Sequence, residues 1–170
     1  MKHTIELRNL EFKAKHAVAF PRNLNEPDGS WFSEDFHWHE FHVSAKIAGP
    51  LDVAGCVVDF RVALAALKEL LAKLDGRAIV SRANQPENEE NLASSADRIV
   101  RLERENASAE IIAEELLKAW LKKLDFDSQK RYSVSLSLEE EPGCFAEVEM
   151  DAEEVADWRN GSKSSAFRWE

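Results

Sequence analysis

The stretch that decides the fold covers residues 32 to 43 and reads Phe-Ser-Glu-Asp-Phe-His-Trp-His-Glu-Phe-His-Val. Successive side chains of a β-strand point to opposite faces, so His37 and His39 share one face with Phe41, and His42 points away. Two imidazoles at the end of an apolar strand face are either surface residues or ligands of a cation, usually a divalent metal. The spacing alone leaves both interpretations open.

A third histidine comes from the preceding stretch. The apolar residues between positions 3 and 19 change parity once, which predicts a strand with a bulge that carries His16 on its apolar face. Residues 21–30 are rich in proline, glycine and polar residues, so we expect a loop that lets the chain reverse. A second strand from about Phe36 to Ile47 then pairs antiparallel with the first and brings His16 beside His37 and His39. Three imidazoles with a fourth position open are the ligand set of a catalytic Zn²⁺ site.

Two helices and two further strands follow. Asp59 is a plausible N-cap of the first helix, whose inward residues are predicted to be Phe60, Leu64, Leu67, Leu71 and Leu74. The second runs from about Ala109 to Leu124 after Ser108. Alternating residues 134–138 and residues 145–150 predict a hairpin. The order ββααββ predicts an α+β domain, with an antiparallel four-stranded sheet covered on one face by two helices.

We expect one domain over residues 1–150, with residues 77–106 as an insertion between the helices and residues 151–170 as a C-terminal tail that docks on a neighbour. Four residues of the insertion have the spacing of a further amphipathic helix: Leu92, Ala96, Ile99 and Val100.

Composition excludes several classes of function. The net charge of −10 argues against a nucleic-acid-binding surface. The N-terminus lacks the apolar core of a signal peptide, and no run approaches the length of a membrane span, so we expect no membrane contact and a cytoplasmic location. Cys56 and Cys144 lie in unrelated contexts and are interpreted as free thiols.

Four acidic residues are candidates for chemistry, each with a simpler alternative. Glu34 lies three residues before His37 and is either a general base or a solvated loop residue. Glu140 continues the apolar parity of its strand, where a carboxylate needs an N–H-rich partner, unless the strand has already ended. Glu110 is favoured electrostatically in the first turn of its helix, and Asp75 is possibly only a helix-end residue.

Six motifs, in this order, resemble those of the 6-pyruvoyltetrahydropterin synthase / 6-carboxytetrahydropterin synthase family. F-x-A-x-H is similar to residues 12–16, H-G-H-x-[YF]-x-V to residues 37–43, and G-x-V-x-D-F to residues 55–60. L-D-H is similar to residues 74–76, N-P-T-x-E-N-[LI]-A to residues 106–113, and V-x-V-x-E-T-P to residues 136–142.

The resemblance implies a tunnelling fold whose subunits assemble through trimers into hexamers, forming a barrel with active sites at subunit interfaces. It implies zinc bound by His16, His37 and His39, and a reduced pterin anchored by Glu140. Ser108 and Glu110 match secondary substrate contacts.

Two positions depart from the family pattern. Residues 31–33 stand where the family has its catalytic cysteine, and Gly76 replaces the histidine that follows Asp75. Glu34 instead matches F-x-E-x-x-H-G-H, the pattern of a variant class that cleaves the dihydroneopterin side chain to 6-hydroxymethyldihydropterin. The resemblance therefore implies a zinc-dependent carbon–oxygen or carbon–carbon lyase for dihydroneopterin or its triphosphate, with Glu34 as base and Asp75 as a second catalytic residue. The alternatives are a catalytically impaired pterin- or purine-binding homologue that keeps the zinc site, and a scaffold protein with structural histidines.

Overall fold

The computed structural model of the protein describes residues 1–21, 31–84, 99–126, 130–161 and 166–169. Its strands are β1 His3–His16, β2 Ala19–Pro21, β3 Trp31–Ser33, β4 His37–Gly49, β5 Arg77–Val80, β6 Ile99–Leu102, β7 Ser133–Glu141, β8 Cys144–Met150 and β9 Phe167–Trp169. Its helices are α1 Phe60–Leu74, α2 Ala109–Lys123 and α3 Ala152–Asn160.

The main sheet confirms the α+β class but is larger than the sequence predicts. Seven described strands lie in the order β8-β7-β4-β1-β5-β6-β9, and β2 and β3 form a separate antiparallel pair. Strand β5 is parallel to both β1 and β6, whereas the remaining pairings are antiparallel. The expectation of a four-stranded antiparallel sheet is therefore wrong, because short strands after α1 extend the sheet beyond β1.

The two long strands β1 and β4 have the predicted antiparallel pairing and the predicted bulge. Their register shifts between Leu7 and Leu10, where Asn9 adopts a φ of 57°. The extra residue lets both halves of β1 point their apolar side chains to the core, despite the change of parity. The buried face of β4 continues through Phe41, Val43, Ala45 and Ile47.

Helices α1 and α2 pack on this sheet and on each other. The Asp59 side chain accepts a hydrogen bond from the Arg61 backbone N–H, which confirms the N-cap. Trp120 of α2 is fully buried and donates from Nε1 to the Ala63 carbonyl at 3.0 Å. The prediction that Phe60 faces inward is wrong: it is 52% exposed, because the small residue Ala63 lies at the helix contact instead.

Residues 77–106 and 151–170 add elements to the same core. Ile99 and Val100 belong to strand β6, so the predicted helix is wrong at these residues, and Leu92 and Ala96 lie outside the described residues. Helix α3 buries Val155 and Trp158, and β9 buries Phe167 beside β6. No helix in the described residues is long and apolar enough to span a membrane.

Glu115 of α2 ties the last strand to the helices. Its side chain is almost fully buried, and its Oε1 accepts hydrogen bonds from Arg104 and Lys118 at 2.9 Å each. Its Oε2 accepts from the backbone N–H of Ala166, immediately before β9, at 2.6 Å. The buried Glu115 carboxylate therefore joins α2 to Arg104, which precedes the helix in the chain, and to Ala166, which follows it.

We expect Glu115→Ala to lower the free energy of unfolding by about 2 kcal/mol, because the Ala166 N–H loses its acceptor and Arg104 and Lys118 keep only the more exposed Glu114. Urea denaturation measures the change. Glu114→Ala is the matched control, since Glu114 contacts the same two cations but is 30% exposed. Its loss should stay below about 1 kcal/mol. Equal losses in the two variants would contradict a special role for the buried carboxylate.

Candidate metal and active site

The register of β1 and β4 brings three histidines together. His16 lies directly opposite His37, and Ala14 lies opposite His39, at the ends of the two strands. The ring centroids are 5.4 Å apart for His16 and His37, 5.1 Å for His16 and His39, and 4.6 Å for His37 and His39. One nitrogen from each ring lies within 4.8 Å of the other two. The structure therefore groups the three predicted metal ligands.

Backbone carbonyl groups orient two of the three rings. His16 Nδ1 lies 2.7 Å from the Ala107 carbonyl oxygen, and His37 Nδ1 lies 2.7 Å from the Asp35 carbonyl oxygen. A carbonyl oxygen only accepts, so each Nδ1 carries the proton and donates it. With Nδ1 engaged in this way, Nε2 is the nitrogen left in each ring for a metal, as in metal-binding histidines held by a second interaction.

The Glu140 carboxylate reaches the same point. Its Oε1 lies 2.6 Å from His16 Nε2 and 3.7 Å from His39 Nε2. Both nitrogens are buried, and within the described residues neither makes a hydrogen bond of regular geometry. A buried nitrogen without a well-aligned partner is costly unless a ligand satisfies it. The cluster therefore has imidazole nitrogens without a well-aligned hydrogen-bond partner, which a cation would engage.

Burial and neighbouring charges shift the pKa values of His39, His16 and Glu140 in different ways. Burial lowers the pKa of His39, which favours the neutral, metal-binding form. Burial also acts to lower the pKa of His16, but its interactions with Glu140 and the Ala107 carbonyl outweigh burial and raise it. The hydrogen-bonding interaction with His16 lowers the pKa of Glu140, despite partial burial. The carboxylate is thus held ionised beside the imidazoles, and a set of three imidazoles suits zinc.

Glu34 lies close to this cluster and is held by the backbone. Its Oε1 accepts from the Val18 N–H at 2.7 Å, and its own N–H donates to the Val18 carbonyl at 3.2 Å. The side chain is half-buried, and its negative charge contributes to the raised pKa of His16. The structure therefore places the predicted base within electrostatic reach of a predicted metal ligand.

The other predicted site residues are not gathered around the histidines by any described contact. Asp75 is exposed, and its Oδ1 accepts from the Lys13 N–H at 2.8 Å. Ser108 occupies the N-cap position of α2 without a side-chain cap bond, and Glu110 is exposed in the first turn. The roles of these three residues remain predictions.

Two asparagines near the histidines, Asn84 and Asn106, have no role predicted from the sequence. Asn84, after β5, is buried and contacts Ala17 and Ser33. Asn106, after β6, accepts from the Ala19 N–H at 3.0 Å and donates to its carbonyl at 2.8 Å. Asn106 is the first residue of the motif at residues 106–113, which is the signal that would have found it, whereas Asn84 lies in none of the quoted motifs.

A second group of possible metal ligands lies on the opposite face of the sheet. His42 approaches Glu11 and Glu40 at 3.8 Å each, and all three residues are exposed. Exposed pairs of this kind contribute little energy. The arrangement agrees with the expectation that His42 points away from His37 and His39.

The comparisons with known proteins agree with this fold. A profile of the 6-pyruvoyl tetrahydropterin synthase family matches residues 5–151. The chain therefore belongs to this family, which comprises lyases of pterin biosynthesis, and it has the family's tunnelling fold. A search of curated protein sequences gave no match.

Solved structures extend the likeness over most of the chain. The 6-pyruvoyltetrahydropterin synthase of Plasmodium vivax has a TM-score of 0.72 at 19% identity, covering 89% of this chain and 99% of that one. The Plasmodium falciparum enzyme has a TM-score of 0.70 at 19% identity, with 88% and 98% covered. An uncharacterized protein from Wolinella succinogenes has a TM-score of 0.62 at 18% identity, with 87% and 98% covered.

We expect the purified protein to bind about one zinc ion per chain, and His37→Ala to abolish stoichiometric binding, because it removes a ligand. Metal analysis after exhaustive dialysis measures the content. His42→Ala is the matched control, since it removes an imidazole from the opposite face and should leave the content unchanged. Metal retained by the His37 variant, or lost equally from both, would refute the assignment.

Proposed function

We propose that the protein is a zinc-dependent lyase that acts on the side chain of a reduced pterin, either dihydroneopterin or its triphosphate. The observation that carries this proposal is the convergence of three imidazoles and two carboxylates at the ends of β1, β4 and β7. A histidine cluster of this composition suits a metal, and the adjacent carboxylates offer a base and an anchor.

His16, His37 and His39 would hold the zinc ion. When bound, zinc supplies Lewis-acid chemistry, the polarisation of a substrate oxygen. The protein's contribution at the metal is orientation: the carbonyl groups of Ala107 and Asp35 fix two rings with Nε2 directed into the cluster.

Glu34 is the proposed general base. The Val18 N–H engages its Oε1, so we assign proton transfer to Oε2. In a side-chain cleavage, Glu34 takes the proton of the second side-chain hydroxyl, and the adjacent carbon–carbon bond breaks as that hydroxyl becomes an aldehyde. The ring accepts the electron pair, and the carbon left on the pterin then receives a proton. A glutamate is also the catalytic residue replaced in a Plasmodium vivax 6-pyruvoyltetrahydropterin synthase mutant, which is 18% identical to this chain.

Glu140 is the proposed anchor for the pterin ring. Its side chain is 26% exposed, so a ligand at the cluster can reach it. Its contacts with His16 and His39 compete with a cation for the same Nε2 atoms. Occupation of those nitrogens by a metal would release the carboxylate to accept from pterin N–H groups, and such charge-assisted hydrogen bonds are strong.

We further propose that the protein works as a homo-oligomer, a trimer or hexamer, in the cytoplasm. Asp75 is exposed and makes no described contact with the histidine cluster, so a catalytic role would be exerted towards the site of another subunit. The same applies to Glu110, which is exposed at the start of α2. Ser108 is proposed to contact the substrate beside it.

Zinc-loaded protein should convert dihydroneopterin, its triphosphate or both, as seen by chromatography of the pterin products. Glu34→Ala should lower kcat by about 10²–10⁴-fold, the usual contribution of a general base, with zinc content unchanged. Glu103→Ala, which removes an exposed salt-bridge carboxylate at the end of β6, is a control that should retain activity. Full activity in the Glu34 variant would refute its role.

The second candidate function is pterin binding without turnover. Gly76 in place of the family's histidine, together with the structural hydrogen bond of Asp75 to Lys13, favours it. This alternative predicts pterin binding that Glu140→Ala weakens and no product from any pterin tested. Turnover that depends on Glu34 would exclude it.

A further inference from the structure

Asn84 is a polar side chain in an unusual place. It is only 4% exposed, at the end of the segment that follows β5. Its Nδ2 donates to the Ala17 carbonyl, and its Oδ1 accepts from the Ser33 hydroxyl at 2.6 Å. Both halves of the amide are thus engaged, which is how a buried polar group avoids its desolvation penalty.

The two contacts of Asn84 flank the proposed base. Ala17 immediately precedes Val18, and Ser33 immediately precedes Glu34. Val18 and Glu34 are themselves joined by two hydrogen bonds: Val18 N–H donates to Glu34 Oε1 at 2.7 Å, and Glu34 N–H donates to the Val18 carbonyl at 3.2 Å. The Asn84 amide therefore cross-links the two backbone segments whose separation sets the position of the carboxylate.

Asn106 fixes the same region from the other side but does not replace Asn84. It pairs with both backbone groups of Ala19, and the next residue, Ala107, accepts from His16 Nδ1 at 2.7 Å. These bonds hold the segment that follows the metal ligand. The β2–β3 pairing sets Ala19 opposite Ser33, and Asn84 adds the described side-chain hydrogen bond from the end of the β5 segment to Ser33.

We propose that Asn84 is a positioning residue that holds the Glu34 carboxylate in its productive place by bracing Ala17 against Ser33. The effect on catalysis rests on the proposed role of Glu34 as base. The hydrogen-bond network is independent of that role. An amide is required because one group must donate to a carbonyl and accept from a hydroxyl at the same time. Aspartate keeps the acceptor and loses the donor, whereas alanine loses both.

In the zinc-loaded enzyme, Asn84→Ala should lower kcat about 10- to 100-fold, the cost of displacing a catalytic group by about 1 Å. KM should change by less than about threefold, since Asn84 is assigned no contact with the substrate. The kcat of Asn84→Asp should fall by a similar factor. Asn160→Ala, which changes an exposed asparagine at the end of α3, is the matched control and should retain wild-type kcat.

A double variant tests whether Asn84 acts on catalysis through Glu34. In a Glu34→Ala background, Asn84→Ala should cause no further loss of kcat, because the group that it positions is gone. Losses that multiply in the double variant would overturn the proposal. If Asn84→Ala does not fold, Ser33→Ala removes the exposed partner of the same bond and should lower kcat severalfold. An unchanged kcat in that variant would overturn the proposal as well.

A measurement that does not depend on turnover distinguishes the role of Asn84 from the proposed reaction. Amide hydrogen exchange of Val18, measured by NMR, should quicken at least about tenfold in Asn84→Ala and in Glu34→Ala, and stay unchanged in Asn160→Ala. Unchanged Val18 exchange in a folded Asn84 variant would overturn the network. If the wild-type protein converts no pterin, the proposed reaction fails, and Val18 exchange alone decides whether Asn84 braces the segment.

Discussion

The antiparallel pairing of β1 with β4 is the interaction on which the rest of the structure depends. It sets His16 opposite His37 and places His39 next to Ala14, so that all three imidazoles lie on the core side of the sheet. A slip of one residue would move every side chain of β4 to the other face. The bulge between Leu7 and Leu10 is part of the same constraint, because it allows the whole length of β1 to bury its apolar residues while His16 stays in register.

The segment after α1 completes the site from the edge of the sheet. Strand β5 pairs with β1 just before His16, and the residues that follow β5 and β6 supply Asn84, Asn106 and the Ala107 carbonyl. The three histidines thus come from long strands with large buried faces, whereas the contacts that orient His16 and Glu34 come from short connecting segments. Rigid strands fix the histidines, and a network of amide hydrogen bonds fixes the chain between them.

Local patterns predicted much of this arrangement. The parity of β1 and β4, the cap at Asp59 and the convergence of the histidines follow from period-two alternation and capping chemistry, which a single sequence displays. Family motifs added the expectation that Glu140 serves the site, and the structure places it against His16. The interpretation of Glu140 as part of a turn is excluded, since β7 extends to Glu141.

Non-local contacts explain what the sequence did not predict. Strands β5 and β6 have four residues each, too few to distinguish a strand from a helical turn by periodicity, and their parallel pairing depends on distant partners. The same limit applies to Phe60, whose exposure depends on where Trp120 meets α1. Asn84 meets Ala17 and Ser33 only because the fold brings together three segments that are far apart in the chain.

The central claim is that the three imidazoles form a metal site, and anomalous diffraction from crystals grown with zinc tests it most directly. Data collected on both sides of the zinc absorption edge locate the ion without reference to activity. We expect one strong anomalous peak per chain, at bonding distance from the imidazole nitrogens of His16, His37 and His39. No peak in the cluster, or a peak only at the exposed group of Glu11, Glu40 and His42, would contradict it.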